Sequence, residues 1–284
     1  MDIKDLIIFK TVASLGNMTK AAEYLNYAQS NVTSRINHLE NELEVELFIR
    51  NSRGVFLTNS GDVFLDYVNK IISLQDEAIN VLHDGTRGKL KIGLIIEAAA
   101  VRLPYIMSGF KEVCPHVELI PFIESTGVLV EKILNYELDG IFVDGPLKNE
   151  ELVQEFCIDD ELVLISNQQL PETQKLELLC QHDLITVSQN CIYKKRFELW
   201  IESENMQIPK SVQVGTWDGI FASVELGLGF TVTTRSLAVK YSKSNEFFVS
   251  ELPKAYNQVP LIFLRRKDTK VTKTFQTFIN LSSQ

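Results

Sequence analysis

Gln29-Ser30-Asn31-Val32-Thr33-Ser34-Arg35-Ile36-Asn37-His38-Leu39-Glu40-Asn41-Glu42-Leu43 is the stretch on which the reading of this chain turns. Projected at about 100° per residue, Val32, Ile36, Leu39 and Leu43 fall within about 40° of one another, the narrow buried stripe of a helix. The opposite side carries Ser30, Thr33, Ser34, Asn37, His38 and Asn41, with Arg35 on its flank, while Glu40 and Glu42 project sideways. A face of short hydroxyls and amides without a carboxylate is one that a phosphate-lined groove accepts, and such groups reach base edges. The same pattern also fits a small helical domain with one plain solvated face, so the flanking sequence has to decide.

Upstream, Ala21, Ala22 and Leu25 form the inner face of a preceding helix, and Asn26-Tyr27-Ala28 is turn-like. Downstream, Leu47 to Thr58 reads as two short β-prone arms around a turn carrying Arg53 and Gly54, with Arg50 close by. A hairpin with cations near its tip suits a wing over the DNA backbone or minor groove; an exposed turn with merely solvated arginines is the other reading. Taken together, Ala21-Ala22-x-x-Leu25, Gln29-Ser30, Val32-Thr33, Ile36-x-x-Leu39-Glu40-x-x-Leu43, Leu47-Phe48-x-Arg50 and Leu57-Thr58-x-x-Gly61 resemble the winged helix-turn-helix of LysR-type transcriptional regulators. The resemblance continues in weaker form through Gly88 to Gly93, Pro115, Leu138-Asp139 and Gly227-x-Gly229, so it covers essentially the full chain. It implies that Gln29, Ser30, Thr33, Ser34 and Arg35 face DNA and that Arg50 and Arg53 belong to the wing. Asn37 joins them from the polar face of the helix. Glu44 departs from the pattern, because the family usually has glycine there.

The chain has 284 residues, 45% of them hydrophobic and 23% charged, an ordinary globular composition with length for about two domains. Net charge is −9; residues 1–89 hold twelve carboxylates against nine Lys and Arg, so neither part is basic overall. Such a sum does not describe one local surface that meets a polyanion. Cys114, Cys157, Cys180 and Cys191 form no C-x-x-C pair, and His38, His83, His116 and His182 lie far apart, so no metal site and no cofactor are expected. The start Met1 to Asp5 lacks a basic n-region, and the apolar stretch Ile92 to Val101 is broken by Glu97, which reads as a cytoplasmic protein with reduced thiols and no membrane partner.

A long helix is expected from Asn59 to about His83, capped by Thr58 and stopped at Gly85, with a domain boundary near Gly85 to Gly88. Phe64, Tyr67, Ile71, Leu74, Ala78 and Val81 recur with spacing 3-4-3-4-3, the heptad mark of a helix pairing with another helix. A second stripe, Val63, Val68, Ile72, Ile79 and Leu82, leaves open that the helix packs on its own domain. The family resemblance implies a winged helix-turn-helix at 1–58 and a dimerising linker at 59–88. It also implies a homodimer or homotetramer on double-stranded DNA at a roughly palindromic promoter site, with RNA polymerase a further candidate partner.

Beyond residue 89, strand candidates (Lys89 to Ile95, Val117 to Ile123, Gly140 to Val143, Glu161 to Ser166, Leu184 to Val187, Ser211 to Val214, Phe230 to Thr233, Leu261 to Arg265) alternate with helical patterns at Ala99 to Val113, Val128 to Tyr136, Lys194 to Glu204 and Gly219 to Leu226. This alternation predicts an α/β fold with mainly parallel sheet and ligand sites at strand carboxyl ends. By resemblance it is an effector domain at 89–284 of two lobes akin to type II periplasmic binding proteins, 89–163 with 267–284 and 164–266. Its cleft, the expected site of an unknown small-molecule effector, is walled by Ile96, Glu97 and Ala98, by Ser125, Thr126 and Gly127, by Gln189, Asn190 and Cys191, and by Thr216 and Trp217. Many relatives sense small carboxylates, but Glu97, Asp218 and the absence of Ser or Thr from Glu97-Ala98-Ala99-Ala100 oppose that here. Trp217 reads as core packing or as an aromatic wall. Lys194, Lys195 and Arg196 after Cys191 are surroundings that lower a thiol pKa, as a redox switch would need. Gly227-Leu228-Gly229 reads as a tight helix-to-strand turn, and no G-x-S-x-G, H-E-x-x-H or P-loop is present. The expectation is a sequence-specific DNA-binding regulator controlled by a small molecule, not an enzyme. A catalyst on the same scaffold and a pure solute-binding module are the alternatives.

Overall fold

Capping and apolar periodicity set the elements of the amino-terminal head. The computed structural model describes residues 1–82, 88–171, 175–242 and 247–283. Helix α1 (Ile3–Leu15) starts at a capping box between Asp2 and Asp5 and ends at Gly16 in the left-handed region. Asn17 caps α2 (Met18–Leu25) by accepting from the Thr19 and Lys20 N–H groups at 2.8 and 3.0 Å. After the turn at Asn26 comes α3 (Gln29–Leu43), whose Val32, Ile36 and Leu39 are buried as the periodicity requires. Strands β1 (Phe48–Asn51) and β2 (Gly54–Leu57) pair antiparallel, with Arg50 opposite Val55. Helix α4 (Asn59–Leu82) begins where the Gly61 N–H donates to Thr58 Oγ1 at 2.9 Å, so Thr58 is its cap. A Cβ on Gly61 would lie 2.2 Å from the Leu47 carbonyl oxygen, so only glycine lets α4 pack so closely against the wing. Phe9 is the centre of the head core, its ring 5.1 Å from Phe48 and 5.0 Å from Phe64.

Both stripes of α4 are divided between the head and solvent. Phe64, Val68, Ile71 and Ile72 pack on the head core, whereas Val63, Tyr67, Leu74, Ile79, Val81 and Leu82 are exposed. The expected stop and boundary at His83, Gly85, Thr86 and Arg87 lie outside the described residues.

The carboxyl-terminal part contains two sheets. Its elements in chain order are β3 (Gly88–Leu94), α5 (Ile96–Val101), α6 (Leu103–Val113), β4 (Val117–Ile123), α7 (Thr126–Leu134), β5 (Gly140–Asp144) and β6 (Leu152–Ile158). Then follow β7 (Leu162–Ser166), α8 (Lys175–Gln181), β8 (Leu184–Thr186), α9 (Ile192–Ser203), β9 (Ser211–Gln213), α10 (Trp217–Glu225), β10 (Thr231–Thr234), α11 (Arg235–Ser242) and β11 (Phe248–Glu251). Last come α12 (Lys254–Asn257), β12 (Leu261–Arg266) and α13 (Lys273–Ser282). The sheet of lobe I has the order β4-β3-β5-β12-β6, and lobe II holds β10-β7-β11 and β8-β9, joined by a bridge between Leu184 and Phe230.

Three expectations change here. The sheets are mixed rather than mainly parallel: β3 runs parallel to β4 and β5, and β8 to β9, but β12 is antiparallel to β5 and β6, and β7 to β10 and β11. The chain crosses between lobes, so strands that arrive by a crossing run against those linked by helices within a lobe. For the same reason the lobe borders move. Leu162 and Val163 belong to the lobe II core, and β12 hydrogen-bonds β5 and β6 of lobe I, which puts the crossings near 159–161 and 258–260 rather than at 163 and 266. The helix expected over Ala99 to Val113 is two helices, because Pro104 has no N–H for a continuous ladder and opens α6 instead. Strands β6 and β11 and helices α8, α11, α12 and α13 carried no signal strong enough to be read. The Gly227-Leu228-Gly229 turn is as expected, with Gly227 at φ 73° after α10.

Candidate DNA-binding and ligand-binding sites

Gln29, Ser30, Thr33, Ser34, Asn37, His38 and Asn41 form one continuous open surface along α3. No acidic side chain belongs to it. Ala28 precedes the helix without a side-chain cap, which leaves first-turn N–H groups open at the end that carries Gln29 and Ser30. The wing stands beside this face. Arg50 donates to Asn37 Oδ1 at 2.7 Å and to Glu40 Oε2 at 3.0 Å, which ties β1 to α3. The other oxygen of Glu40 accepts from the Leu47 and Phe48 N–H groups at 2.9 and 3.1 Å, so this carboxylate is consumed in holding the wing. Arg53 sits at the tip between Asn51 and Gly54; its backbone N–H donates to Asn51 Oδ1 at 2.8 Å, and among the described residues its guanidinium pairs with no carboxylate. Arg35 differs from expectation: it donates to Asp5 Oδ1 at 2.6 Å and lies 3.7 Å from Asp2, turned toward α1. The negative charge of buried Asp5, fixed by the capping box, draws it there.

The cleft between lobes is a cavity of about 510 Å³. Of the expected wall, Ile96, Glu97, Ser125, Thr126, Gly127, Asn190 and Cys191 line it, and Ala98 lines a narrow extension deeper in. Gln189, Thr216 and Trp217 do not line it. Gln189 accepts from Ser211 Oγ at 3.1 Å, Thr216 caps α10 through the Gly219 N–H at 3.3 Å, and Trp217 is packed in the lobe II core. Asp218, outside the cleft, accepts from the Tyr241 hydroxyl. Sequence reading missed Asp144 and Tyr193, which line both spaces. Asp144 directly follows the expected strand Gly140 to Val143, and the rule of ligand sites at strand carboxyl ends would have found it. For Tyr193, one residue inside a helix, no such signal exists.

The Tyr193 hydroxyl of lobe II donates to Asp144 Oδ1 of lobe I at 3.3 Å, across the cleft. Burial pushes the Glu97 carboxyl up to about 7. The Trp217 indole N–H bears on that carboxyl and opposes the rise, but makes no hydrogen bond of good geometry. Burial raises Asp144 to about 7 as well, with the charge of Glu97 adding to it and Arg196 working weakly against it. Cys191 goes the other way from expectation: burial, followed by the charges of Glu97 and Asp144, pushes its thiol up to about 11. Lys194 is engaged with Glu198 at 2.7 Å. A thiol held protonated is a poor nucleophile, so the redox reading falls.

Both halves of the chain match family models. Residues 3–62 match the bacterial regulatory helix-turn-helix protein, lysR family, and residues 83–284 the LysR substrate binding domain. The HTH-type transcriptional regulator SoxR of Arthrobacter sp. (strain TE1826) is 38% identical over 282 residues, 98% of this chain and 96% of that protein. The HTH-type transcriptional regulator GltR of Bacillus subtilis (strain 168) is 32% identical over 281 residues, 98% of this chain and 95% of the relative. Among solved structures, a full-length OxyR variant from Pseudomonas aeruginosa superposes with a TM-score of 0.73 at 20% identity, covering 99% of this chain and 94% of that one. Full-length CbnR complexed with its target DNA gives 0.68 at 17% identity, with 99% of each chain covered. The fold is thus that of full-length regulators of this type, with a helix-turn-helix head before a two-lobed domain. The chain belongs to the LysR family and is a LysR-type transcriptional regulator with a DNA-binding head and an effector-binding domain.

Proposed function

We propose that the open polar face of α3 enters the major groove of a promoter, with Thr33, Ser34 and Asn37 reading base edges. Gln29, Ser30 and the open first-turn N–H groups take up phosphates. Arg53 at the wing tip makes a sequence-independent phosphate contact, and Arg50 holds the wing in register with α3 through Asn37 and Glu40. Arg35 supports the helix from Asp5 and is left out of the DNA contacts. The observation that carries this reading is the continuous exposed surface of α3 formed by neutral amides, hydroxyls and one histidine, in a chain of net charge −9.

The functional units are a head over residues 1–58, a linker helix through 82, and an effector domain from 88. Two copies join through the exposed stripe of Tyr67, Leu74 and Val81, placing two heads on a roughly palindromic site, and pairs of dimers form tetramers. A small molecule in the cleft between Glu97, Ser125, Asn190 and Tyr193 draws the lobes together and repositions the heads, with a coupling of about 1 to 3 kcal/mol. The regulator works in the cytoplasm, contacts RNA polymerase at its promoter and catalyses no reaction. Among the described residues no helix is long and apolar enough to cross a membrane. A gel shift of the full chain with DNA upstream of its own gene tests the reading: a discrete complex is expected whose affinity falls with salt at a log-log slope of about 0.9 per phosphate neutralised. Equal affinity for scrambled DNA would refute it.

A further inference from the structure

The cleft has an unbalanced charge. Glu97 is only 9% exposed and lines both the cleft and its deep extension; only neutral N–H groups, of Trp217 and of its own backbone, bear on its carboxyl, and among the described residues no cation pairs with it. Asp144 lines the same two spaces, and among the described residues its one side-chain bond is from Tyr193 to Oδ1, leaving Oδ2 open. No lysine or arginine lines the main cavity. Arg102, which lines the deep extension, gives its Nη2 to the Ser282 carbonyl at 3.0 Å. Glu124, exposed, lines the main cavity as well, and Asp160 the extension, so every charged residue of the main cavity is acidic. Glu97 and Asp144, the two more enclosed carboxyls, are costly when ionised without a counter-charge, and whatever fills the space has to meet them. A metal ion would need a third convergent donor, and among the described residues no group of three His, Cys, Asp or Glu is arranged to hold one. The apolar part of the wall is Ile95, Ile96, Ile123, Val187 and Ile192, beside the small polar Ser125, Thr126, Ser188 and Asn190.

We infer that the effector of this regulator is a small organic cation, a protonated amine seated between Glu97 and Asp144 with an apolar body against Ile95, Ile96, Ile123, Val187 and Ile192. This rests on the cleft being the effector site. The ammonium supplies donors to the open oxygens of both carboxylates, and its charge favours their ionised forms. Because Tyr193 reaches Asp144 from the other lobe, a ligand held at Asp144 bears on both lobes at once.

The test uses the full chain in thermal-shift and calorimetric titrations with butylamine, cyclohexylmethylamine and phenethylamine, each beside the alcohol and the carboxylate of the same skeleton, and with zinc chloride. Three variants accompany them: Glu97→Gln, Asp144→Asn, and Gly127→Phe, which fills the cleft from a position where a Cβ meets nothing within 4 Å. The apo melting temperature of each variant reports whether it folds. The expected result is a saturable rise in melting temperature with at least one amine and with none of its counterparts. Amine affinity should fall roughly tenfold or more in Glu97→Gln and in Asp144→Asn and vanish in Gly127→Phe. Carboxylates or zinc giving the shift that Gly127→Phe abolishes would overturn the amine while keeping the cleft as the effector site. An amine response that survives Gly127→Phe would overturn both, and no response to any amine would overturn the amine.

Discussion

The Arg35 guanidinium donates to the buried Asp5 carboxylate at 2.6 Å, so a cation on the flank of α3 braces that helix against α1 instead of facing outward. Charge-assisted bonds are the stronger ones in a fold, and solvent around the partly exposed Arg35 weakens this one. Arg35→Ala should therefore lower the denaturant midpoint of the head. Once protein is scored as folded, its preference for one base over another should be unchanged. A change in base preference with stability intact would return Arg35 to the DNA interface.

Glu44 closes α3 at φ 54°, a left-handed conformation that costs a residue with a Cβ about 1 kcal/mol or more. Its N–H and that of Val45 still bond back to Asn41 and Glu40, so the helix ends as a glycine would end it. Glu44→Gly is expected to stabilise the head by about 1 kcal/mol, read as a higher denaturant midpoint with unchanged slope. An equal or lower midpoint would mean that the exposed Glu44 side chain makes up the difference.

Local chemistry made much of this molecule readable from sequence. The stripe Val32, Ile36, Leu39, the Thr58 cap and the turn at Gly227 are decided by residues a few positions apart, and the structure has them as expected. What could not be read depends on partners distant in sequence. Strand β12 reads like any parallel strand, and only its pairing with β5 and β6 assigns it to lobe I. Arg35 looks free until Asp5, thirty residues earlier, is folded beside it. Cys191 has three cations after it in sequence, but two carboxylates around it in space.

On α4, Leu74 and Tyr67 are about 60% exposed on a helix whose other side is packed on the head. Leu74→Asp should leave the head folded and break the pairing of two such helices, since a carboxylate in the seam has no partner. Sedimentation is expected to show a smaller assembly than the wild-type protein forms, with affinity for a two-half-site DNA reduced to that of one head. A dimer of undiminished strength would place the association elsewhere.

Glu97 and Asp144 also make apo stability depend on pH. Their folded-state pKa values, about 7, lie above the ordinary 4.5 and 3.8, because burial disfavours the charged forms. The folded state therefore binds more protons than the unfolded state between roughly pH 4 and 7, and stability falls as pH rises through that window. Facing these carboxyls are Tyr193, Cys191, the Trp217 N–H, Asp160 and, more weakly, Arg196, none of which supplies a close counter-charge. Glu97→Gln should stabilise the apo protein at pH 8 by about 3 kcal/mol and have little effect at pH 4.5. Paired melts at the two pH values check this; a variant no more stable at pH 8 would contradict it.

The central claim is that the carboxylate-free face of α3 lies in a DNA groove, and a charge placed on it tests this most directly. Ser34 is exposed in the middle of that face, so Ser34→Glu leaves the core untouched. Affinity of the full chain for its promoter, measured by gel shift at fixed salt, should fall roughly a hundredfold, the effect of about 3 kcal/mol of like-charge repulsion against phosphate. Circular dichroism and the melting temperature should stay at wild-type values. Undiminished promoter affinity in a correctly folded Ser34→Glu protein would contradict the account.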